Sequence, residues 1–175
     1  MSNSFKIDLK TVKSFKQHLA VLVGTYFYSG LLPKAPGTWG TIAALPLVYF
    51  LNSTSHTLIF ACISLLFFLG IWACFQIQKT YQINDHQSIV IDEVVGIAIG
   101  ASMVGQNHSW LFVSFLLFRF FDITKIPPVN FFDLLSKKSK NPWISAAGVM
   151  LDDVIAGFQT LLTIFFIRKF WDNFF

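Results

Sequence analysis

Ile89-Val90-Ile91-Asp92-Glu93-Val94-Val95-Gly96-Ile97-Ala98-Ile99-Gly100-Ala101-Ser102-Met103-Val104 is the stretch that decides how the chain is read. It is uncharged except for two adjacent acids near its start. At the centre of a membrane helix a carboxylate costs about 3 kcal/mol on insertion scales unless it is paired, solvated or bound to a cation. The pattern recurs twice. Arg119 and Asp122 close the apolar run Trp110–Phe121, and Asp152 and Asp153 sit inside Ala146–Ile167, which is otherwise uncharged. Five of the chain's nine acids fall in these three places, and Glu93 is its sole glutamate. Acids so placed are candidates for chemistry.

Composition supports the membrane reading. The 175 residues amount to about one domain by length. Charged residues make up 13% against the roughly 25% of a soluble domain, and apolar residues 54%, with 21 phenylalanines. Mean hydropathy is +0.60. The expectation is an integral membrane protein. A soluble helical domain with a large core is the alternative, because several apolar runs are shorter than the ~20 residues of a spanning helix. No signal-peptide cleavage site is read near the start. Cys62 and Cys74 lie three turns apart in one apolar segment and read as packing residues. Neither a nucleic-acid partner nor an obligate protein partner is expected.

Around the opening stretch the chain organises into helices. No Lys, Arg, Asp or Glu occurs from Ala35 to Gln78, room for two passes: a short Trp39–Leu51 containing Pro46, and Thr57–Ile77. Asn52-Ser53-Thr54-Ser55-His56 is the polar turn between them. A second pair is Ile89–Val104 and Trp110–Phe121, joined by Gly105–Ser109. Ile123–Asn141 reads as a polar, proline-containing loop, and a last helix covers roughly Ser145–Ile167. The fold class is all-α, a polytopic membrane bundle of four or five transmembrane or re-entrant helices. Residues 1–18 form a basic cytoplasmic arm, 19–169 a membrane-embedded domain, and 170–175 an aromatic tail. Lys6, Lys10, Lys13, Lys16, Lys34, Lys79, Lys125, Lys137, Lys138 and Lys140 fall on one side, which the positive-inside rule makes cytoplasmic. Arg168 and Lys169 conflict with it if the last helix spans. This topology gathers Asp92-Glu93, Arg119 to Asp122, Asp152-Asp153 and the loop Pro33–Gly40 at one cytoplasmic face.

Five carboxylates in one place repel and do not all ionise without cations. A hard divalent ion such as Mg2+ prefers oxygen ligands and resolves the conflict, so Asp92, Glu93, Asp122, Asp152 and Asp153 are candidate metal ligands and catalytic residues. A bias of acids toward helix N-termini explains one pair but not Asp122. Arg119 and Asp122 share a helix face at i and i+3, as a structural ion pair or as a phosphate clamp assisted by Lys125. Pro33–Gly40 reads as a tight membrane-entry turn or as a phosphate-binding loop using Lys34, Gly37, Thr38 and Gly40. His86 reads as a surface histidine, with proton transfer the alternative. Gly96 and Gly100 on one helix, and Gly148 and Gly157 on another, favour close helix packing. The thiol-phosphatase, Asp-nucleophile and Walker signatures are absent from the sequence. A membrane cation transporter or ion-coupled carrier would also use intramembrane acids, nearer the midplane.

Four blocks in order carry a resemblance: Ser29–Thr41 with Pro33-Lys34-Ala35-Pro36-Gly37-Thr38-Trp39-Gly40, Ser88–Gly96 with Asp92-Glu93, Phe118–Ile123 with Arg119 and Asp122, and Gly148–Gly157 with Asp152-Asp153. The chain resembles the phosphatidylglycerophosphatase A family over about Gly24 to Gly157. The resemblance implies a Mg2+-dependent, membrane-embedded lipid phosphatase. It would act on an anionic phospholipid, hydrolysing the terminal phosphomonoester of phosphatidylglycerophosphate to phosphatidylglycerol and phosphate. It would do so in a multi-pass arrangement in the bacterial inner (cytoplasmic) membrane, active site toward the cytoplasm. It also raises the phosphate-binding reading of Pro36–Gly40. Two features depart from the family: Lys125 is followed by Ile126 before Pro127-Pro128, and the approach to the last acidic block is long and lysine-rich.

Overall fold

A computed structural model describes residue 7, residues 9–84 and residues 86–174. Lys6 of the basic arm, Asp85 and Phe175 lie outside the described residues. Seven α-helices and no strand occur among the described residues: α1 Phe15–Gly24, α2 Pro36–Leu51, α3 His56–Tyr81, α4 Ile91–Gly100, α5 His108–Thr124, α6 Val129–Lys138 and α7 Pro142–Phe174. The helix starts are written in the sequence. Ser14 and Gln17 form a capping box on α1, the Ser55 hydroxyl accepts the Leu58 N–H on α3, and Asn107 accepts the Trp110 N–H on α5. Pro36 opens α2 at a position where its missing N–H costs nothing.

α4 is the hub. It packs on α2, α3, α5 and α7, and apart from Asp92 and Glu93 all of it is buried. A methyl group on Gly157 of α7 would overlap the carbonyl of Gly96 on α4, and one on Gly96 would press on Phe118 and on the Asp153 carbonyl. These glycines let α4 and α7 approach backbone to backbone, as their spacing suggested. Gly157→Ala is therefore expected to destabilise the protein by about 1–3 kcal/mol through overpacking. It should also lower activity by moving Asp153 away from Asp92 and Glu93. Thermal unfolding and turnover in detergent check both effects, and an unchanged melting temperature contradicts the packing.

Large apolar side chains face outward on several helices, among them Phe60, Leu65 and Phe68 of α3, Phe112 of α5 and Phe166 of α7. The five candidate acids are buried or half-buried. Among the described residues, two helices are long and apolar enough to cross a membrane, His56–Tyr81 and Pro142–Trp171. The other expected passes are shorter. α2 and α5 have 16 and 17 residues, or about 24–26 Å. The expected pass Ile89–Val104 contains only the 10 residues of α4, about 15 Å of helix, because turns follow Gly100 before α5 begins.

Three further expectations change. The arm boundary at residue 18 falls inside α1, which begins at Phe15. The expected loop Ile123–Asn141 contains α6, whose Val129, Asp133 and Ser136 are buried while its lysines mask the periodicity. The aromatic tail continues α7 as far as Phe174. Arg168, awkward for the charge rule, donates to the Met103 carbonyl at 2.6 Å and lies 5.8 Å over Trp110. It ties the far end of α7 to the turn after α4.

Candidate metal and phosphate site

The first turn of α2, the segment 86–93, the end of α5, α6 and the middle of α7 enclose a cavity of about 460 Å3. Asp92, Glu93, Arg119, Asp122, Lys125, Asp152 and Asp153 all line it, together with Gly37 and His86. The convergence of all five acids expected from sequence is thus present in the fold.

The five acids do not play one part. Asp92, Glu93 and Asp153 each turn a carboxylate oxygen toward a common point, the three oxygens lying within 4.8 Å of one another. On an octahedral Mg2+ neighbouring oxygens lie about 3 Å apart and opposed ones about 4.2 Å, so the three would draw closer together to share that ion. Glu93 Oε2 is buried with no hydrogen-bond donor. An acceptor left so is costly by itself and suits a cation.

Asp122 and Asp152 face cations instead. The Arg119 guanidinium donates through Nη1 to Asp122 Oδ2 at 2.5 Å and lies 3.8 Å from Glu93 Oε1. The ion pair read from the i, i+3 spacing is therefore real, and it stands on the cavity wall. The Lys125 ammonium donates to Asp152 Oδ2 at 2.9 Å and to Asp133 Oδ1 at 2.5 Å. Burial works against the Lys125 charge, but Asp152 and Asp133 outweigh it and raise its pKa above the ordinary lysine value. The remaining Asp152 oxygen, Oδ1, accepts the Asp153 N–H at 3.1 Å.

The entry loop divides. Gly37 lines the cavity, and a methyl group there would overlap the Glu93 carboxylate and stand 3.1 Å from Arg119 Nη1. Gly40 instead lies against Val90. Lys34 is exposed with a positive φ of 59°. Neither Lys34, Thr38 nor Gly40 is among the cavity's lining residues. His86, expected at the surface, is 2% exposed because it packs edge-on against Tyr81. Its Nδ1 accepts the Ser88 N–H at 3.2 Å, so a neutral ring carries its proton on Nε2.

Asp133 was not singled out from the sequence. It is buried on α6 and receives Lys125 and also Lys137, at 2.8 Å. Burial would raise its pKa, but hydrogen bonds from Lys125 and Lys137 win and lower it. The i, i+4 spacing of Asp133 and Lys137 was the available signal.

The phosphatidylglycerophosphatase A family model matches residues 22–168. A phosphatidylglycerophosphatase A from Haemophilus influenzae is 38% identical over 152 residues, 86% of this chain and 88% of that protein. One from Escherichia coli is 32% identical over 151 residues, 86% of this chain and 84% of its own length. A Bacteroides thetaiotaomicron protein, provisionally named a phosphatidylinositol-3-phosphatase, is 36% identical over 154 residues, 83% of this chain and 91% of its own. No solved structure matches the chain at a significant level.

Proposed function

Since the chain belongs to the phosphatidylglycerophosphatase A family, we propose that its acid-lined cavity removes the terminal phosphate of phosphatidylglycerophosphate with the help of Mg2+. The observation that carries this reading is the division of the five acids into a converging triad and two acids each paired to a cation. Asp92, Glu93 and Asp153 would hold a divalent ion, whose chemistry there would be Lewis-acid polarisation of the phosphate and acidification of a water. Arg119 and Lys125, aimed by Asp122 and Asp152, meet charge developing on the phosphate oxygens. Gly37 keeps the α2 N-terminus close to Glu93 and Arg119, where an anionic group is favoured. His86 places an N–H on the same wall.

The surroundings suit a lipid. Ile123 lines the cavity yet is 68% exposed, giving acyl chains a way out. A separate apolar furrow lies between α2 and α5, lined by Ile42, Leu45, Tyr49, Leu111 and Phe112. Ile91, next to Asp92 in the chain, and Met150, two residues before Asp152, pack against Gly70 of α3. Gly70 is five residues, about 8 Å, inside Phe75, beyond which Gln76, Gln78 and Lys79 begin. The cavity wall also includes His86 and Gln87 of the loop before α4 and Ser136 of the lysine-bearing α6, which suits a headgroup at the cytoplasmic boundary better than the midplane site of a carrier.

We place α2, α3, α5 and α7 as crossing or re-entrant helices of a bacterial inner-membrane protein, with α4 enclosed and the cavity facing the cytoplasm. With Cys62 and Cys74 replaced, cysteines at Gln82 and Lys138 should react from the cytoplasmic side, and those at Ser53 and Gln106 from the other. Labelling of Gln82 and Lys138 from opposite sides contradicts the arrangement.

The Bacteroides relative supplies a second substrate to weigh, phosphatidylinositol 3-phosphate. Phosphate release by the purified protein with Mg2+ in mixed micelles should favour phosphatidylglycerophosphate over that lipid and over phosphatidic acid. A higher kcat/KM on the inositide assigns the site to the second substrate.

A further inference from the structure

We propose that Asp133 is a positioning residue for phosphate binding, acting through Lys125; the inference rests on reading the cavity as a phosphatase site. An ammonium has three protons to donate. Lys125 directs one to Asp133 Oδ1 at 2.5 Å and one to Asp152 Oδ2 at 2.9 Å, and it lines the cavity. The third proton serves a phosphate oxygen. Asp152 alone cannot fix that direction, because a lysine head on a four-carbon stem turns freely about a single contact. Two carboxylates on different helices hold it.

The frame behind Asp133 is stiff. The Ser136 hydroxyl donates to the Asp133 carbonyl at 2.7 Å, and the Ser145 hydroxyl of α7 donates to the Ser136 carbonyl at 2.7 Å. Gly148 has no side chain to keep the Ser136 backbone from α7. Lys125 is held from its own side by its N–H, which bonds the Phe121 carbonyl at 2.9 Å as α5 ends with a positive φ. Lys137, 49% exposed, gives Asp133 a second cation. One carboxylate is thereby buried between two ammonium groups. Removing its charge leaves Lys125 to Asp152 alone and sets two lysines against each other.

The test is a double-mutant cycle on phosphate release from phosphatidylglycerophosphate in mixed micelles. Asp133→Asn should lower kcat/KM about 10–100-fold, the range for outer-shell partners of a catalytic site. Lys125→Ala should lower it at least as much, and adding Asp133→Asn to Lys125→Ala should lower it no further. Should Asp133→Asn fail to fold, Asp133→Glu enters the same cycle, since its longer arm displaces Lys125 without removing the charge. Additive losses, which a merely structural residue would give, overturn the proposal. So does an Asp133→Asn enzyme with wild-type kcat/KM. A wild-type protein that releases no phosphate overturns the phosphatase reading and this one with it, whereas wild-type turnover with an additive cycle overturns this one alone.

Discussion

Asp92→Asn, Glu93→Gln and Asp153→Asn are each expected to lower phosphate release by about 10³-fold, the consequence of losing several kcal/mol of metal-derived stabilisation. Any residual turnover in these three should need more Mg2+ than the wild type. Asp122→Asn and Asp152→Asn should behave differently. Their carboxylates hold Arg119 and Lys125 at 2.5 and 2.9 Å, so their loss should cost about 10–100-fold in kcat/KM with an unchanged Mg2+ requirement. The measurement is kcat/KM against Mg2+ concentration for all five variants. If Asp122→Asn shifts the Mg2+ dependence as strongly as Glu93→Gln, the five acids form one ligand set and the division fails.

The second large effect concerns how the substrate arrives. Glycerol 3-phosphate carries the same phosphomonoester as the lipid but has no tail to hold it at the cavity. Confinement to the membrane raises the effective concentration of a headgroup at a boundary site, with gains of about 10²-fold or more. The protein in mixed micelles should therefore prefer phosphatidylglycerophosphate to glycerol 3-phosphate by at least that factor. Equal kcat/KM values would mean that the membrane does not present the substrate, and the role given to Ile123 would be withdrawn.

Much of this site was legible in the sequence because acids are conspicuous where apolar residues dominate. Asp92-Glu93, Asp122 and Asp152-Asp153 stood out for that reason, and the lysine pattern placed them at one end of the bundle. What spacing could not supply was their division. Adjacent residues on a helix point about 100° apart. Whether Asp152 or Asp153 joins Asp92 and Glu93 therefore depends on how α7 is rotated against α4, which the Gly96–Gly157 contact sets.

The length of α4 was hidden as well. Ile89–Val104 is apolar enough to cross, but hydropathy does not tell a spanning helix from a short one buried on all sides. α6 escaped notice because Lys137, Lys138, Lys140 and the prolines before it read as loop, although Val129, Asp133 and Ser136 form its buried face. His86 is polar in sequence and buried in the fold, since nothing local reveals that Tyr81 packs against it. Lys34 is the opposite case. A lysine within a glycine-bearing block suggested a phosphate contact, yet its side chain is exposed and off the cavity wall.

The most direct test of the central claim is binding of Mn2+, a paramagnetic stand-in for Mg2+, to the purified protein in detergent, followed by electron paramagnetic resonance without substrate. The wild type and Asp122→Asn should bind the ion with similar affinity, while Asp92→Asn, Glu93→Gln and Asp153→Asn should each lose it. Retention of Mn2+ by all three triad variants, or its loss from Asp122→Asn alone, would contradict a cation held by Asp92, Glu93 and Asp153.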